Sequence, residues 1–396
     1  MDFNDTPEEA KFRAEARKWL KANAPKHKKW DDDQFIEAAK AWQMQKHKAG
    51  WAVITWPKEY GGRGGTTVEA GIFAEEEARY QLPTGPFSIG QGMAAPTLMA
   101  YASEEQKKAY LPKMASGEEI WCQLFSEPAG GSDLAALRTR SQRDGDDWVV
   151  NGQKIWTSGA HYSDYGILVT RSDPTVPKHK GLTYFFLSMK TPGVEIKPIK
   201  QISGGSNFNE VYFTDVRIPD AQRLGAEGDG WKVSITTLMN ERASIGGGGG
   251  IGFDAIYKLA ETMELGGDKA IKDRAVREKL ADWYCRESGL KYTRARTQSA
   301  LSRGETPGPE NSIGKLVGAK QSQDIAAFGI DLMDMAGACM EQNSEFHQNY
   351  LSLPGLRIAG GTDEIMLNII AERVLGLPQD IRVDKGIPFN EVPTGS

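Results

Sequence analysis

The hydrophobic spacing of this 396-residue chain changes twice along its length, and a segment patterned for one period does not settle into the other. Thr6-Pro7-Glu8-Glu9 reads as a helix start, with Thr6 as N-cap, Pro7 at the first helical position and Glu9 placed to close a capping box. Phe12, Ala16, Trp19 and Leu20 then recur at helical spacing until Ala24-Pro25. Phe35 to Ala49 and Val68 to Tyr80 repeat the pattern around a glycine-rich loop from Pro57 to Gly65, so an N-terminal helical domain is expected over residues 1–119. Near Trp121 the period shortens to that of strands. Trp148-Val149-Val150, Asn151-Gly152 and Lys154-Ile155-Trp156 predict a hairpin, because Asn-Gly supplies the positive φ angles of a type I′ turn. Gly166–Thr170, Thr183–Ser188, Val194–Ile199 and Glu210–Val216 extend the set to a middle antiparallel β domain over 120–226. After Gly230-Trp231 the helical period returns near 230–265, 270–303, 312–338 and 362–376, with a Pro/Gly-rich break from Gly304 to Pro309. The expected fold class is α+β, closing on a C-terminal four-helix bundle over 227–396.

Composition narrows the function classes. With 48 basic and 53 acidic residues the formal charge is −5, which offers no field for nucleic acid and little pull toward anionic membranes. Cys122, Cys285 and Cys339 are too far apart for a disulfide framework or a zinc knuckle, and His27, His47, His161, His179 and His347 show no metal spacing. The polar start Met1-Asp2-Phe3-Asn4-Asp5 lacks a secretory pattern and no long apolar span follows, so a cytoplasmic protein without a membrane span is expected. Lys26-His27-Lys28-Lys29 reads as a solvated loop.

Two strings carry chemistry: Phe125-Ser126-Glu127-Pro128-Ala129-Gly130-Gly131-Ser132-Asp133, and about twenty residues later Gly152-Gln153-Lys154-Ile155-Trp156-Thr157-Ser158-Gly159-Ala160. Read by themselves they are a loop with capping serines and a hairpin bearing a tryptophan. In register they closely resemble the paired signature of acyl-CoA dehydrogenases. Tyr60-Gly61-Gly62-Arg63-Gly64, Gln106 to Pro112 and Ile358-Ala359-Gly360-Gly361-Thr362-Asp363-Glu364-Ile365 match the same family in order, so the resemblance spans the chain. It implies FAD as cofactor, an acyl-CoA thioester as substrate and an electron-transfer flavoprotein as acceptor. It also implies that Trp156 lies against the flavin ring, Ser158 bonds near N5, Ser126 bonds the pyrimidine edge with Phe125 adding backbone, and Ser132 lies where main-chain amides approach a phosphate or the substrate. Gly361, Thr362 and Glu364 start the last helix, where free N–H groups favour a pyrophosphate; the plain reading is a Gly-Thr cap.

Removing a weakly acidic α-proton needs a base and donors to the thioester carbonyl. In the commonest branch of the family the carboxylate stands immediately before the Gly-Thr; here that position is Gly360. In the branch resembling isovaleryl-CoA and long-chain enzymes it comes from the first bundle helix just before an arginine, and this chain reads Leu238-Met239-Asn240-Glu241-Arg242. Glu241 is therefore the expected base. Ile235, Leu238, Met239 and Ile245 suggest that its helix is mostly buried, which would make an idle carboxylate costly. Ser244 to Gly252 adds a glycine run that reads either as room for a branched or bulky acyl group or as a local kink.

Two family motifs are missing. Glu264-Leu265-Gly266-Gly267 stands where relatives place an arginine for FAD pyrophosphate across a subunit interface, and Asp334-Met335-Ala336-Gly337-Ala338 replaces a Gln-x-x-Gly-Gly loop. The resemblance therefore leaves open a homodimer or homotetramer, or a heterotetramer with a second acyl-CoA dehydrogenase subunit of the kind that acts on steroid side chains and dicarboxylic acyl-CoAs. Competing expectations are a non-catalytic or half-site partner subunit and an oxygen-using flavoenzyme of the same fold.

Overall fold

The computed structural model describes residues 5–26, 32–245, 250–302, 308–309, 311–339 and 345–393. The chain divides into two compact units: one of residues 1–200, 206–241 and 381–396, the other of 201–205 and 242–380.

In the first unit α1 (Pro7–Asn23) starts with the expected capping box: Glu9 N donates to Thr6 Oγ1, and Thr6 N to Glu9 Oε2 at 2.7 Å. Its buried stripe of Phe12, Ala16 and Leu20 packs with Trp42 of α2 (Asp32–Lys48), with Trp51, and with Ile72 and Phe73 of α3 (Thr67–Glu77). Glu76, 1% exposed, is held by the guanidinium groups of Arg13 and Arg17, which keep its carboxyl below the usual range. α4 (Ala95–Tyr101) and α5 (Glu104–Ser116) complete the helical part.

Eight strands follow: β1 (Trp121–Leu124), β2 (Arg140–Asp144), β3 (Asp147–Ser158), β4 (Tyr165–Arg171), β5 (Leu182–Ser188), β6 (Val194–Ile199), β7 (Phe208–Pro219) and β8 (Arg223–Leu224). They form one sheet in the order β6-β7-β3-β2-β4-β5-β8, with β1 added beside β4. The sheet is mixed rather than wholly antiparallel, since β1, and β2 at its first residue Arg140, pair parallel with β4. Strand alternation divides its side chains between two cores. Ile167, Val169, Tyr184 and Phe186 join Leu98, Leu111 and Trp121; Leu168, Phe185 and Leu187 join Trp148, Val211 and Phe213.

The expected Asn151-Gly152 hairpin is not there. β3 runs straight through both residues, and the reversal lies at Gly145-Asp146, with Gly145 at φ +63°. Gly152 (φ +151°) sits at a register shift against β7, where a Cβ would come within 2.6–2.8 Å of Thr139, so the glycine serves close strand approach and not a turn.

Helix α6 (Gly230–Ile245) begins in the first unit. The predicted segment 230–265 is two helices, for α7 (Phe253–Thr262) starts anew after the glycine run, of which Gly246–Gly249 lies outside the described residues. Gly250, at φ +137°, has Leu353 and Ser322 where a Cβ would stand, each at 2.9 Å. A true Gly-Gly hairpin follows, joining β9 (Glu264–Leu265) to β10 (Asp268–Lys269) through Gly266 (φ +64°) and Gly267 (φ +87°). α8 (Arg274–Ser302), α9 (Asn311–Leu332), α10 (Glu345–Ser352) and α11 (Asp363–Ile369) complete the second unit around Ile256, Trp283, Ile325 and Phe346. Much of the predicted break from Gly304 to Pro309 lies outside the described residues, as do His27 and the basic run after Lys26.

After residue 380 the chain returns to the first unit. Phe389 N donates to Val176 O, Asn390 N to Pro174 O, and the Phe389 ring lies 3.9 Å from the Arg171 guanidinium carbon.

Candidate functional site

The two signature strings meet in the first unit. β1 delivers Phe125 and Ser126 at its end, and Ser126 O accepts from Ile155 N of β3 at 2.9 Å. The loop beyond is closed by reciprocal bonds of 3.0 Å between the main chains of Glu127 and Gly130. Phe125 is buried, Ser126 half-buried and Ser132 exposed. Next to Ser132, Asp133 pairs with Lys178 at 2.7 Å, and Lys178 also reaches Asp384 of the returning chain end.

Beneath the loop lies a pair that sequence reasoning passed over. Lys154, with no exposed surface, donates to Glu127 Oε1 at 2.8 Å and to Phe125 O at 3.0 Å. Glu127 also accepts from the amides of Arg138 (2.6 Å) and Thr139 (2.9 Å). Burial acts to raise the Glu127 carboxyl, but the ammonium and the amides outweigh it and hold it below the usual carboxylate range. Burial lowers the Lys154 ammonium, opposed by Glu127.

Two residues on, Trp156 occupies the left-handed region at φ +59°, at a second register shift between β3 and β7. A bulky residue is rarely found there, because its Cβ crowds the following carbonyl oxygen. The bulge turns the indole outward: it is 57% exposed and makes an edge contact with Phe208, 6.1 Å between centroids. Thr157 beside it is buried with no partner for its hydroxyl among the described residues, and Ser158 is half-buried. A flat aromatic face held in the open next to an orphaned hydroxyl and half-buried serines fits a planar ring with a polar edge, and so fits a flavin.

Glu241 is half-buried on α6, where its Oε2 accepts from Gln123 Nε2 of β1 at 3.4 Å. Gln123 is two residues upstream of Phe125. It is the polar break in Trp121-Cys122-Gln123-Leu124-Phe125, a signal the sequence reading did not use. One turn before Glu241, the Thr237 hydroxyl bridges Tyr184 (2.9 Å) and Thr97 (2.8 Å), all three buried. The expected burial of this helix through Ile235, Leu238 and Met239 is corrected. Ile235 and Met239 are exposed and Leu238 half-buried, while Val233, Ser234 and Thr237 face the core. The apolar positions did not mark the inward face because Ser234 and Thr237 occupy it, with hydroxyls that bond along the chain or to Tyr184. The side chain of Ile245 lies outside the described residues.

In the second unit Thr362 caps α11, accepting from Ile365 N at 3.3 Å. Gly361 stands at φ +95°, a conformation that favours glycine, and a Cβ there would push aside the end of the Met366 side chain at 2.4 Å. Lys315 donates to Gly361 O, and Arg357 holds Asp363 at 2.6 Å. Glu364 is exposed; its own amide and the Thr362 hydroxyl hold its carboxyl below the usual range. Histidines take structural roles: His347 Nε2 lies 2.8 Å from Gly337 O and His161 Nδ1 3.1 Å from Asn209 Oδ1. Among the described residues, no helix is long and apolar enough to cross a membrane.

The profiles of the acyl-CoA dehydrogenase N-terminal, middle and C-terminal domains match residues 6–118, 122–216 and 228–375. The acyl-CoA dehydrogenase IpdE1 of Mycobacterium tuberculosis is 36% identical over 94% of this chain and 98% of its own length. FadE34 of the same organism is 40% identical over 82% of this chain, which spans 44% of that longer relative. Among solved structures, the ChsE4-ChsE5 complex from Mycobacterium tuberculosis superposes with TM-score 0.78 and 28% identity, covering 96% of this chain and all of the other. The Tcur3481-Tcur3483 steroid ACAD gives 0.80 and 28% with the same coverage.

Proposed function

This chain belongs to the acyl-CoA dehydrogenase family and is an FAD-dependent acyl-CoA dehydrogenase, and from that premise we propose that Glu241 takes the α-proton of the thioester. The observation that carries this reading is the Gln123 amide on the Glu241 carboxylate. It ties the acid to the strand that delivers Phe125 and Ser126, while Gly360 leaves the alternative position without a carboxylate. A base must be held within reach of its proton before its basicity matters. Bound FAD supplies the acceptor for the hydride that leaves the β-carbon. Trp156 is the wall for the ring, Ser158 and Ser126 donate to its polar edge with Phe125 adding main chain, and Ser132 presents a loop amide to a phosphate or the substrate. The Gly361-Thr362 turn and Glu364 hold the pyrophosphate of an FAD. These roles follow a division at 1–119, 120–226 and 227–396.

The acyl group is bulky or branched, and polycyclic acids are the first to try, a choice supported by the similarity to a steroid ACAD. The similarity to a two-component complex supports a heterotetramer over a homo-oligomer, with an electron-transfer flavoprotein as acceptor. A half-site role is the second reading, favoured by the Glu264–Gly267 hairpin that carries no arginine for a neighbour's FAD. The experiment is anaerobic bleaching of the purified flavoprotein, alone and with its partner chain, against a panel of acyl-CoA thioesters. Glu241→Gln should slow bleaching at least ~10²-fold. Wild-type bleaching rates in that variant would remove the base, and a colourless wild-type complex would remove the flavin assignment.

A further inference from the structure

Lys154 is the only residue of either signature string that makes side-chain bonds to both flanks of Ser126, among the described residues: it bonds Phe125 O before it and the Glu127 carboxylate after it. The next residue, Ile155, bonds Ser126 O through its amide, and the one after that is Trp156. One ammonium therefore fixes the spacing between the Ser126 hydroxyl and the outward-turned indole. Glu127 fixes the same loop from its other side, through the Arg138 and Thr139 amides and its reciprocal bonds with Gly130. Both side chains are buried, so contact with solvent does not explain a charged pair at this depth. Apolar residues of similar volume would fill the space at comparable stability, whereas an ion pair with three further side-chain bonds specifies one arrangement of the two strands.

We propose that Lys154 and Glu127 are positioning residues that set the Ser126 loop against the Trp156 bulge and so fix the geometry in which the flavin ring is received. The inference rests on the assignment of Ser126 and Trp156 to the flavin. It adds a role for two residues to which that assignment gives none.

Removing one charge strands the other, so single variants test folding more than positioning. The decisive protein is the double variant Glu127→Gln/Lys154→Met, which removes both charges of the pair together and keeps one side-chain oxygen to accept from the Arg138 or the Thr139 amide. Two quantities are read on the assembled protein beside wild type: the unfolding midpoint of the apoprotein, and the dissociation constant and visible spectrum of added FAD. The expected result is an apoprotein midpoint close to wild type with FAD bound about tenfold more weakly, as losing one well-aligned hydrogen bond of ~1.4 kcal/mol predicts. A change in the flavin band shape should accompany it. Wild-type affinity and spectrum in the double variant overturn the proposal. So does weakened binding that merely follows a lowered midpoint, or that Glu127→Gln alone reproduces with a midpoint lowered to the same extent. If wild type itself takes up no FAD, the flavin assignment fails first, which separates the two failures.

Discussion

The left-handed conformation of Trp156 makes a stability test that runs opposite to intuition. An L-residue in this region costs roughly 1–2 kcal/mol, and the indole recovers only part of it, since it is 57% exposed and touches Phe208 by one edge contact. Trp156→Ala loses that contact, worth ~0.5–1.5 kcal/mol, and keeps the backbone cost. Trp156→Gly loses the same contact but sheds the steric cost, against ~0.5–1 kcal/mol of extra chain entropy that glycine brings to the unfolded state. The glycine variant should therefore be the more stable of the two by about 0.5–1 kcal/mol, and Trp156→Asn should fall near it because asparagine tolerates this region. Denaturant midpoints of the three apoproteins measure the order. FAD affinity measured in parallel should fall in all three, because the strain is retained for the indole's placement. An alanine variant as stable as the glycine variant would refute the reasoning, since the bulge would then carry no backbone cost.

Other outcomes follow from the same geometry. Gly152→Ala should destabilise by about 2–3 kcal/mol, because a Cβ would meet Thr139 Cα at 2.7 Å as well as its side chain; an unchanged midpoint contradicts the close approach. Glu76→Gln should cost about 2 kcal/mol, between exposed and buried pairs, since the carboxylate is buried but its arginines are partly wet; denaturation of the variant checks it. Arg13 holds Asp5, Arg223 holds Asp220, and Glu76 and Glu127 are held likewise, all below the ordinary carboxylate range. Groups depressed in the folded state contribute in full above their unfolded values of ~3.9 and ~4.3 and lose that contribution as pH falls further. The urea midpoint should drop between about pH 5 and pH 3, and a level midpoint across that window speaks against these pairs.

Local rules written in few residues were legible. The α1 cap is set by Thr6, Pro7 and Glu9 alone, and the structure reproduces it. The Thr362 cap was equally local. Asn151-Gly152 was misread because a glycine needed for a turn and one needed for close strand approach look alike in sequence; Thr139, the neighbour that decides, lies thirteen residues back. The site was legible as two strings but not as a clamp, since the Glu127–Lys154 pair spans 27 residues and neither member breaks a local pattern. Gln123 did break one. The face of α6 was hidden because Ser234 and Thr237 bury hydroxyls that a hydrophobic count sets outside.

The first compact unit is discontinuous: its 381–396 stretch is made only after the whole of 242–380. During synthesis the Arg171 guanidinium and the Pro174 and Val176 carbonyls wait for Phe389 and Asn390 until the whole of the intervening unit has been made. A unit whose segments lie on both sides of another in the chain thus cannot close in the usual vectorial order. A chain stalled before residue 381 should leave this edge open to protease while the helices upstream of the sheet are already formed.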